Sequence, residues 1–436
     1  MKILILGNGG RSHAFAWKIS QSKLCGSLYI APGNAGTLEY GENIDIDISD
    51  FDSVRKVCID KKIDLLLVGP EEPLVNGIYD FFKSDKSLKN MIVTGPSASG
   101  ARLEGSKSFA KAFMGRHNIP TAAHREFSAE NYDEGLAYIK GHELPVVIKA
   151  DGLAGGKGVV ICSNPIEAMG EYELIVQKTK FGDAGKRIVV EEFLDGIEVS
   201  VFVLTDGKDY VLLPEAKDYK KIGEGDSGLN TGGMGAISPV PFVTEEFMGK
   251  VKQRIIEPTI KGLQEEKIDY KGFIFFGLIK VNEEPIVIEY NCRMGDPETE
   301  VILPRLKNDL LELLIATDKG ELHLQRIEIE PKAAATIVAV SGGYPLEYKK
   351  GFAIDFGYLS NPLVMKQINA NGGVTVFHAG TKKENDEIVT NGGRVIAVSA
   401  LADTLKDAIE LSKEILEQIY FEGIYYRGDI GYEFME

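Results

Sequence analysis

The sequence predicts a multidomain protein of mixed class, with an α/β domain first, a larger α+β domain next and a small closing α/β domain. Three observations support this prediction. The chain has 436 residues, enough for about three domains of ordinary size. Its first hundred residues alternate short apolar runs with helical patterns, which is typical of a parallel, doubly wound sheet. Later strand patterns follow each other directly, which favours antiparallel pairing.

The N-terminal region, which we end at residue 102, has four strand patterns and one clear helix. The strands are predicted at Lys2–Leu6, Ser27–Ile30, Asp64–Val68 and Met91–Val93, and the helix at His13–Ser20. The strands are continuous apolar runs, which indicates a sheet covered on both faces. The segment Thr94–Gly105 is rich in Gly, Ser and Pro and therefore predicts the domain boundary.

The remaining chain is divided into a central region, 103–326, and a C-terminal region, 327–436. Central helices are predicted at Ser106–His117, with Ser106 as N-cap, and at Pro165–Gln177. Central strands are predicted at Pro145–Lys149, Val159–Cys162, Arg187–Val190, Glu198–Leu204, Tyr210–Leu213, Phe273–Val281 and Pro285–Tyr290. The segment Ile222–Gly235 has no periodicity, which predicts a long functional loop. C-terminal strands are predicted at Ala333–Val340, Gly373–Phe377 and Arg394–Ser399, and a helix at Leu401–Gln418.

Composition and charge exclude several classes of protein. Apolar residues make up 44% of the chain and charged residues 26%, which excludes a disordered protein. The net charge of −16 disfavours nucleic acid and anionic membranes as partners. Four scattered cysteines without a CxxC pair predict reduced thiols rather than a zinc site. No apolar run is long enough for a signal peptide or a membrane span, so we expect a cytoplasmic protein.

Two glycine-rich segments predict phosphate contacts. Gly7–Gly10 (GNGG) lies between the first strand and the first helix, where bare N–H groups bind anions. A tight turn that needs glycine only for steric reasons is the alternative. Lys149–Gly158 (KADGLAGGKG) joins two strands and not a strand and a helix, which argues against a P-loop and favours a flap over a triphosphate. Here the alternative is a mobile hairpin with solvated lysines.

Two carboxylate-bearing strand ends complete the motifs. Val190–Glu198 (VEEFLDGIE) offers acceptors for ribose hydroxyls or an adenine amino group, unless it is simply an acidic turn in solvent. Glu289 and Asn291 are two residues apart on a strand and share one face. Their oxygens suit Mg²⁺, which takes one or two protein ligands plus phosphate oxygens. A structural ion pair between Glu289 and Arg293 is the alternative.

In this order the motifs resemble the ATP-grasp superfamily, and the whole chain is similar to the phosphoribosylamine–glycine ligase family. The matching stretches are GNGGRSHAFAWK, APGNAGT, VGPEEPLVNG, EGSKSFAK, IKADGLAGGKGVV, EEFLDGIEVS, NTGGMGAISP, EYNCRMGDPETE, VFHAGT and YRGDIGY. The resemblance implies a Rossmann-like N-terminal domain, an ATP-grasp core with a mobile lid at about 119–192, and a small C-terminal α/β domain.

The resemblance also implies an activity: ATP-dependent ligation of glycine to 5-phosphoribosylamine through glycyl phosphate, the second step of purine biosynthesis. The implied cofactors are ATP, as a substrate, and Mg²⁺ or Mn²⁺. We expect a monomer, which leaves room for transient contacts with neighbouring enzymes of the pathway.

Site residues follow by position. The resemblance assigns nucleotide contacts to Lys107, Lys149, Gly155, Gly156, Lys157, Gly158, Glu191, Phe193 and Glu198, and the metal to Glu289 and Asn291. It assigns substrate contacts to Gly9, Gly10, Asn34, Glu71, Asn230, Gly233 and Arg293, and catalytic roles to Arg293, Lys149 and Asp218.

The sequence departs from the family pattern at three positions. Ser12 stands where the family has Glu, Tyr219 where it has His, and Gly428 where it has a second Arg. These departures leave a regulatory nucleotide-binding protein with an inactive site as one rival. A carboxylase or formate-using ligase of the same superfamily is another. A dinucleotide-dependent oxidoreductase, suggested by the N-terminal glycines alone, is the third.

Overall fold

A parallel sheet opens the chain, as predicted. The computed structural model describes all residues except 156, 157, 179, 362, 365–367, 369–372 and 436. The sheet contains β1 (Lys2–Gly7), β2 (Ser27–Pro32), β3 (Glu42–Asn43), β4 (Leu65–Val68) and β5 (Ile92–Pro96) in the order β5-β4-β1-β2-β3. The helices of this region are α1 (Gly10–Ser20), α2 (Phe51–Lys61), α3 (Glu71–Val75), α4 (Ile78–Ser84) and α5 (Ala98–Gly105). Ile3 to Leu6 are all fully buried, because helices cover both faces of the sheet.

A separate four-stranded antiparallel sheet follows within the predicted lid. Its strands are β6 (His124–Ser128), β7 (Val146–Ala150), β8 (Val159–Cys162) and β9 (Arg187–Glu192), in the order β6-β9-β7-β8. The helices in this stretch are α6 (Lys107–Arg116), α7 (Tyr132–Lys140) and α8 (Pro165–Val176). The Ser106 side chain accepts a hydrogen bond from the Phe109 amide, which confirms the predicted N-cap of α6.

After the lid sheet, four strands of the central region extend the first sheet: β10 (Ile197–Thr205), β11 (Tyr210–Leu212), β16 (Tyr270–Val281) and β17 (Glu284–Asn291). The others are β12 (Lys217–Asp218) and β15 (Gly235–Ser238), which join a second sheet, and β13 (Lys221–Gly223) and β14 (Ser227–Asn230), which pair with each other. The helices here are α9 (Glu245–Val251), α10 (Glu257–Glu265), α11 (Thr299–Arg305) and α12 (Leu310–Lys319). β16 and β17 form the predicted antiparallel pair, and β16 also pairs with β5 at its first residues.

The C-terminal region completes the second sheet, which also contains strands of the central region. It contains β18 (Ala333–Val340), β19 (Thr375–His378), β20 (Thr381–Glu384), β21 (Glu387–Thr390), β22 (Arg394–Ala402) and α13 (Leu405–Leu416). The five-stranded sheet runs β12-β15-β18-β22-β19, so two of its strands come from the central region. The boundaries at 102 and 326 remain predictions, since sheets continue across both.

Two local predictions were wrong. The segment Ile222–Gly235 is not a loop: it forms most of the hairpin β13–β14 and reaches β15. The hairpin lies on the surface, so no apolar periodicity marks it. The helix predicted from Leu401 starts at Leu405, because β22 continues to Ala402 and Thr404 caps the helix by accepting from the Asp407 amide.

The cysteines agree with the prediction of reduced thiols, since all four are free and three are buried. Among the described residues, no helix combines the length and apolar character needed to cross a membrane.

Candidate active site

A buried charge triad lies where the lid sheet meets α6. Lys149 of β7 and Lys111 of α6 each place Nζ 3.0 Å from Oε2 of Glu191 on β9. All three residues are at most 5% exposed. Burial raises the pKa of Glu191, but the two lysines outweigh it and the pKa is lowered. Burial also lowers the pKa of Lys111 to about 8.

The triad leaves one hydrogen-bond acceptor free. Oε1 of Glu191 is buried and has no hydrogen-bond partner within the described part of the chain. Lys149 also donates to the Ile288 carbonyl at 3.3 Å, which ties β7 to β17. An unpartnered buried carboxylate oxygen is costly unless a donor reaches it. Glu191 can therefore accept a hydrogen bond from an N–H group, as the predicted contact with an adenine amino group requires.

The predicted glycine flap is anchored to the first turn of α6. Asp151 accepts from the Ser108 amide at 2.7 Å and from the Ser106 hydroxyl at 3.1 Å. Lys107 donates to the Gly152 carbonyl at 3.2 Å. Gly155 is exposed, whereas Gly158 is buried and accepts from the Ala150 amide. The predicted flap residues Gly156 and Lys157 lie outside the described residues.

Glu289 and Asn291 lie on one face of β17, as predicted. Burial opposes ionisation of Glu289, but neighbouring cations outweigh it and lower the pKa of this carboxyl. These cations are Lys220, Lys149, Lys107 and Arg293. Lys149 pairs with Glu191, Lys220 with Glu198 and Arg293 with Glu104. None of these three ion pairs includes Glu289, so its carboxylate is available to bind a ligand.

This pair of oxygens fits a divalent cation. Gly277 stands opposite Glu289 in the strand register, and a Cβ there would lie 3.1 Å from Cγ of Glu289, so glycine leaves room for the carboxylate. The described residues contain no group of three or more His, Cys, Asp or Glu that could hold a metal. One carboxylate and one amide suit Mg²⁺ or Mn²⁺, which would complete their shell with phosphate oxygens and water.

Arg293 lies at the centre of a second ionic cluster. It pairs with Glu104 at 2.8 Å and with Glu71 at 3.3 Å, and it donates to Oδ1 of Asn291 at 3.3 Å. Burial lowers the pKa of Arg293, but Glu104 and Glu71 outweigh it and raise the pKa. The alternative of a structural pair with Glu289 is therefore not what the geometry shows. A guanidinium held by acidic residues beside the predicted metal ligands can orient a carboxylate substrate.

A third cluster brings Asp218 and Glu198 together through Lys220. Lys220 lies 2.6 Å from Glu198 and 3.9 Å from Asp218. Lys220 lowers the pKa of Glu198, whereas burial raises the pKa of Asp218. Glu198 remains partly exposed, and Phe193 is 38% exposed. Both are accessible from solvent, as their predicted nucleotide contacts require.

The glycine turn opens into a polar cleft between the N-terminal and C-terminal regions. One cavity includes Asn8, Gly9, Asp296, Tyr344 and Arg394 in its lining. A second shares Asn8, Gly9 and Asp296 and adds Arg11, Ser12 and Glu71. Together they offer space beside the Arg293 cluster for a second, polar substrate.

The predicted substrate residues occupy different positions around this cleft. Gly10 packs on Glu300, because a Cβ would lie 2.2 Å from Oε1. The Asn34 side chain is fully used: it accepts from the amides of residues 36 and 37 and donates to the Asn8 and His378 carbonyls. Asn34 therefore shapes the turn and holds it against β19.

The hairpin β13–β14 leads into the other wall of the cleft. Gly233 has φ +118° and packs on Pro297, where a Cβ would lie 2.4 Å from Cδ. Arg394 donates to the Gly232 and Asp296 carbonyls, both at 2.6 Å, and pairs with the Asp296 carboxylate at 2.8 Å. Asn230 is the last residue of β14 and is half-buried. Gly233 is buried against Pro297 and next to Arg394, a residue of the cleft lining.

Sequence reasoning missed several residues that build these clusters. They are Glu104, Lys111, Lys220, Asp296 and Arg394. Lys111 stands four residues after Lys107, so the helical repeat puts both on one side of α6, and this spacing was a usable signal. Arg394 comes from the C-terminal region, and no local pattern connects it to the glycine turn.

Two of the three departures from the family pattern make their contacts outside the ionic clusters, although Tyr219 stands between Asp218 and Lys220 of the third cluster. Tyr219 is 1% exposed and donates to Glu433 at 2.8 Å. The Gly428 amide donates to Glu224 at 3.0 Å on the hairpin. Only Ser12 lines the cleft. The departures therefore give little support to an inactive catalytic centre.

Comparisons with known proteins agree with this geometry. The N, ATP-grasp (A) and C domain models of phosphoribosylglycinamide synthetase match residues 1–104, 105–299 and 334–433. The chain is 43% identical to the phosphoribosylamine–glycine ligase of Vibrio cholerae, covering 99% of this chain and 98% of that one. The enzyme of the same name from Escherichia coli K12 is 43% identical, over 100% and 99% of the two chains.

Solved structures show the same relationship. The crystal structure of phosphoribosylamine–glycine ligase from Thermotoga maritima superimposes with a TM-score of 0.84 at 32% identity, covering 98% of this chain and 100% of that one. Biotin carboxylase from Campylobacter jejuni shares the fold, with a TM-score of 0.71 at 16% identity, covering 98% and 93%. From the first glycine turn to the C-terminal strands, this chain belongs to the phosphoribosylglycinamide synthetase family of ATP-grasp proteins.

Proposed function

We propose that this chain ligates glycine to 5-phosphoribosylamine with ATP, giving glycinamide ribonucleotide, ADP and phosphate. This is the activity that its relatives' names state, and it is a step of purine biosynthesis. The enzyme is an ADP-forming carbon–nitrogen ligase that uses ATP with Mg²⁺ or Mn²⁺. A monomer remains our prediction for its state in solution.

One observation carries the proposal. Four cations from different segments of the chain face Glu289. Among the described residues, three of them form ion pairs, and in each case the partner is an acid other than Glu289. Such an arrangement suits a site in which a polyanion and its metal complete the charge balance. ATP and its metal are the ligands that match this requirement.

The chemistry then needs two displacements. A glycine carboxylate oxygen attacks the γ-phosphorus, the bond to the β-phosphate oxygen breaks, and ADP leaves. The amine of phosphoribosylamine next attacks the carbonyl of glycyl phosphate, phosphate leaves, and the amine loses a proton. Activation is necessary because oxide is a poor leaving group, whereas phosphate is a good one. No covalent bond to the protein is involved.

The residues divide between these steps. Lys107 and Lys149 offset charge on the ATP phosphates, and Glu191 accepts from the adenine amino group. Glu289 and Asn291 would hold the metal, whose charge would help to neutralise the charge that develops on the transferring phosphoryl group. Arg293 orients the glycine carboxylate. Asp218 takes part on the amine side, and Glu198 binds the ribose.

The acceptor groups are assigned to the cleft. Gly9, Gly10, Asn34 and Glu71 line the phosphoribosylamine site, in which the Asn34 side chain shapes the turn through its hydrogen bonds within the protein. Asn230 with Gly233 lines the glycine pocket. Glycyl phosphate is easily hydrolysed, so we assign to the glycine flap, which includes Gly155 and Gly158, the role of covering the site before transfer. A glycine pocket walled by Gly233 and Pro297 excludes larger amino acids by contact, although one methylene is worth only about 1–3 kcal/mol.

The test is ADP release from the full-length protein with Mg–ATP. Release should require glycine and phosphoribosylamine together. Bicarbonate- or formate-dependent release would instead favour another ligase of the superfamily. ATP binding without turnover would favour the regulatory rival. NAD binding would favour the oxidoreductase.

The metal assignment has its own variant. Glu289→Ala should lower kcat at least about 100-fold, because charge stabilisation of the transferring phosphoryl group is lost. Its stability should change by less than about 1 kcal/mol, since the cations that face Glu289 pair with other acids. Glu410→Ala on the exposed side of α13 is the matched control. Wild-type turnover in Glu289→Ala would refute the assignment.

A further inference from the structure

Residues near the end of the chain bind the hairpin β13–β14 through several hydrogen bonds. Arg427 is fully buried and donates to Asp226 at 2.7 Å and to the Lys221 carbonyl at 3.2 Å. The same guanidinium makes two hydrogen bonds to Asp429, at 2.7 and 2.8 Å. Asp429 in turn accepts from the Gly225 amide at 2.7 Å. These bonds fix the turn of the hairpin against residues 425–433, which we call the C-terminal clamp.

The clamp continues onto the strand before the hairpin. Glu433 accepts from the Tyr219 hydroxyl at 2.8 Å and pairs with Lys217 at 2.9 Å. The Lys217 ammonium also lies 4.0 Å from the centre of the Tyr219 ring. Lys217 and Tyr219 are both buried, so Glu433 holds one side of this strand through groups shielded from water.

The other side of the same strand faces the candidate active site. Successive side chains of an extended strand point in opposite directions, and Asp218 and Lys220 approach Glu198. The Thr231 amide donates to the Lys220 carbonyl at 2.7 Å, and the Met234 amide donates to the Tyr219 carbonyl at 2.7 Å. The loop that contains Gly233 is therefore hydrogen-bonded to the strand that the C-terminal clamp contacts.

We propose that the C-terminal clamp positions the glycine pocket, with Tyr219 and Glu433 acting as positioning residues. The inference rests on the proposed function, because it takes residues 230–233 as a wall of that pocket. Tyr219, where the family has His, supplies the hydroxyl that reaches Glu433. The departure at this position therefore belongs to the clamp and not to the chemistry.

The test compares KM values in the full-length enzyme. Tyr219→Phe removes only the hydroxyl, and Glu433→Gln removes only the charge. We expect each to raise KM for glycine about fivefold, the equivalent of one hydrogen bond, with KM for ATP changed less than about twofold. The double variant should raise KM for glycine by less than the product of the two single effects, because both changes weaken the contact between Tyr219 and Glu433. Tyr358→Phe, at a partly exposed tyrosine in the C-terminal region, is the control.

A second readout does not depend on activity. Amide hydrogen exchange should rise in residues 221–233 of Tyr219→Phe and stay unchanged in the lid sheet. A glycine-specific rise in KM together with faster exchange in this segment supports the clamp.

Other outcomes overturn it. Equal changes in KM for glycine and ATP, a loss of kcat alone, or unchanged kinetics and exchange would each show that the contact is merely structural or irrelevant. Absence of glycine-dependent turnover in the wild-type protein refutes the proposed function instead.

Discussion

Lys111→Met tests whether the buried triad serves nucleotide binding. Methionine has nearly the length of lysine but no charge, so the space beside Glu191 stays filled. The triad carries two lysines and one glutamate, all nearly inaccessible to water. The substitution changes its net charge from +1 to 0 and leaves Lys149 as the partner of Glu191. Lys111→Arg keeps the charge and is the conservative control.

The effect on stability follows from the pKa of Lys111. Burial lowers this pKa from 10.5 to about 8. Below pH 8 both folded and unfolded chains carry the proton, and the contribution to stability is constant and unfavourable. Between pH 8 and 10.5 only the unfolded chain binds it, so wild-type stability rises with pH. The rise is about 3 kcal/mol for a shift of this size, and Lys111→Met should lack it.

The effect on catalysis has the opposite sign. Without Lys111, Glu191 interacts more strongly with Lys149. Less of the positive charge of Lys149 then acts on the ATP phosphates. Loss of one charge-assisted contact is worth about 1.5–3 kcal/mol, which corresponds to a rise in KM for ATP of at least about tenfold. KM for glycine should stay within about twofold, since the glycine pocket does not contact the triad.

The assay pairs denaturant unfolding between pH 7 and 10.5 with steady-state kinetics. The quantity to compare is the difference in free energy of unfolding between wild type and variant at each pH, because other groups titrate equally in both proteins. Lys140→Met, at an exposed lysine that ends α7, controls for loss of a lysine. A stability difference that does not change with pH, combined with an unchanged KM for ATP, would refute the reasoning.

Two further predictions concern Gly233 and the buried carboxyl group of Glu298. Gly233→Ala should raise KM for glycine about tenfold or more, because the added Cβ would lie 2.4 Å from Pro297 and the backbone φ is +118°. Titration of the enzyme with glycine measures this KM, and an unchanged KM would contradict the assignment of Gly233 to the glycine pocket. Burial raises the pKa of Glu298 from 4.5 to about 7, so the folded chain holds an extra proton between these values and wild-type stability falls as pH rises. Glu298→Gln should therefore gain about 3 kcal/mol relative to wild type from pH 4.5 to 7, and urea unfolding that shows a constant difference would contradict it.

Much of the fold could be predicted because the signals are local. The runs KILIL and DLLLV predict buried strands, and Ser106 predicts the start of α6. The same holds for Glu289 and Asn291, since strand periodicity alone puts them on one face. The hairpin β13–β14 escaped prediction because it is exposed on both faces, and its stability comes from the distant Arg427.

The site residues that were missed have long-range causes. Glu104 and Arg293 are far apart in the sequence, and Arg394 meets Asp296 only because β22 packs beside the cleft. No spacing rule connects such residues, because their proximity is a property of the assembled sheets. Lys111 is the exception, since its helical spacing from Lys107 was available in the sequence.

The overall charge illustrates the limit of composition as a predictor of ligands. A chain with net charge −16 is a poor binder of polyanions through its general surface, yet four cations face the single carboxylate Glu289. Exposed charges farther away than the Debye length, about 8 Å at physiological ionic strength, are largely screened, whereas a partly buried cluster is screened much less. A small, highly charged ligand such as ATP therefore responds to the local cluster, while an extended polyanion would meet the acidic surface around it. The same charge distribution that disfavours nucleic acid is compatible with selective binding of a nucleotide.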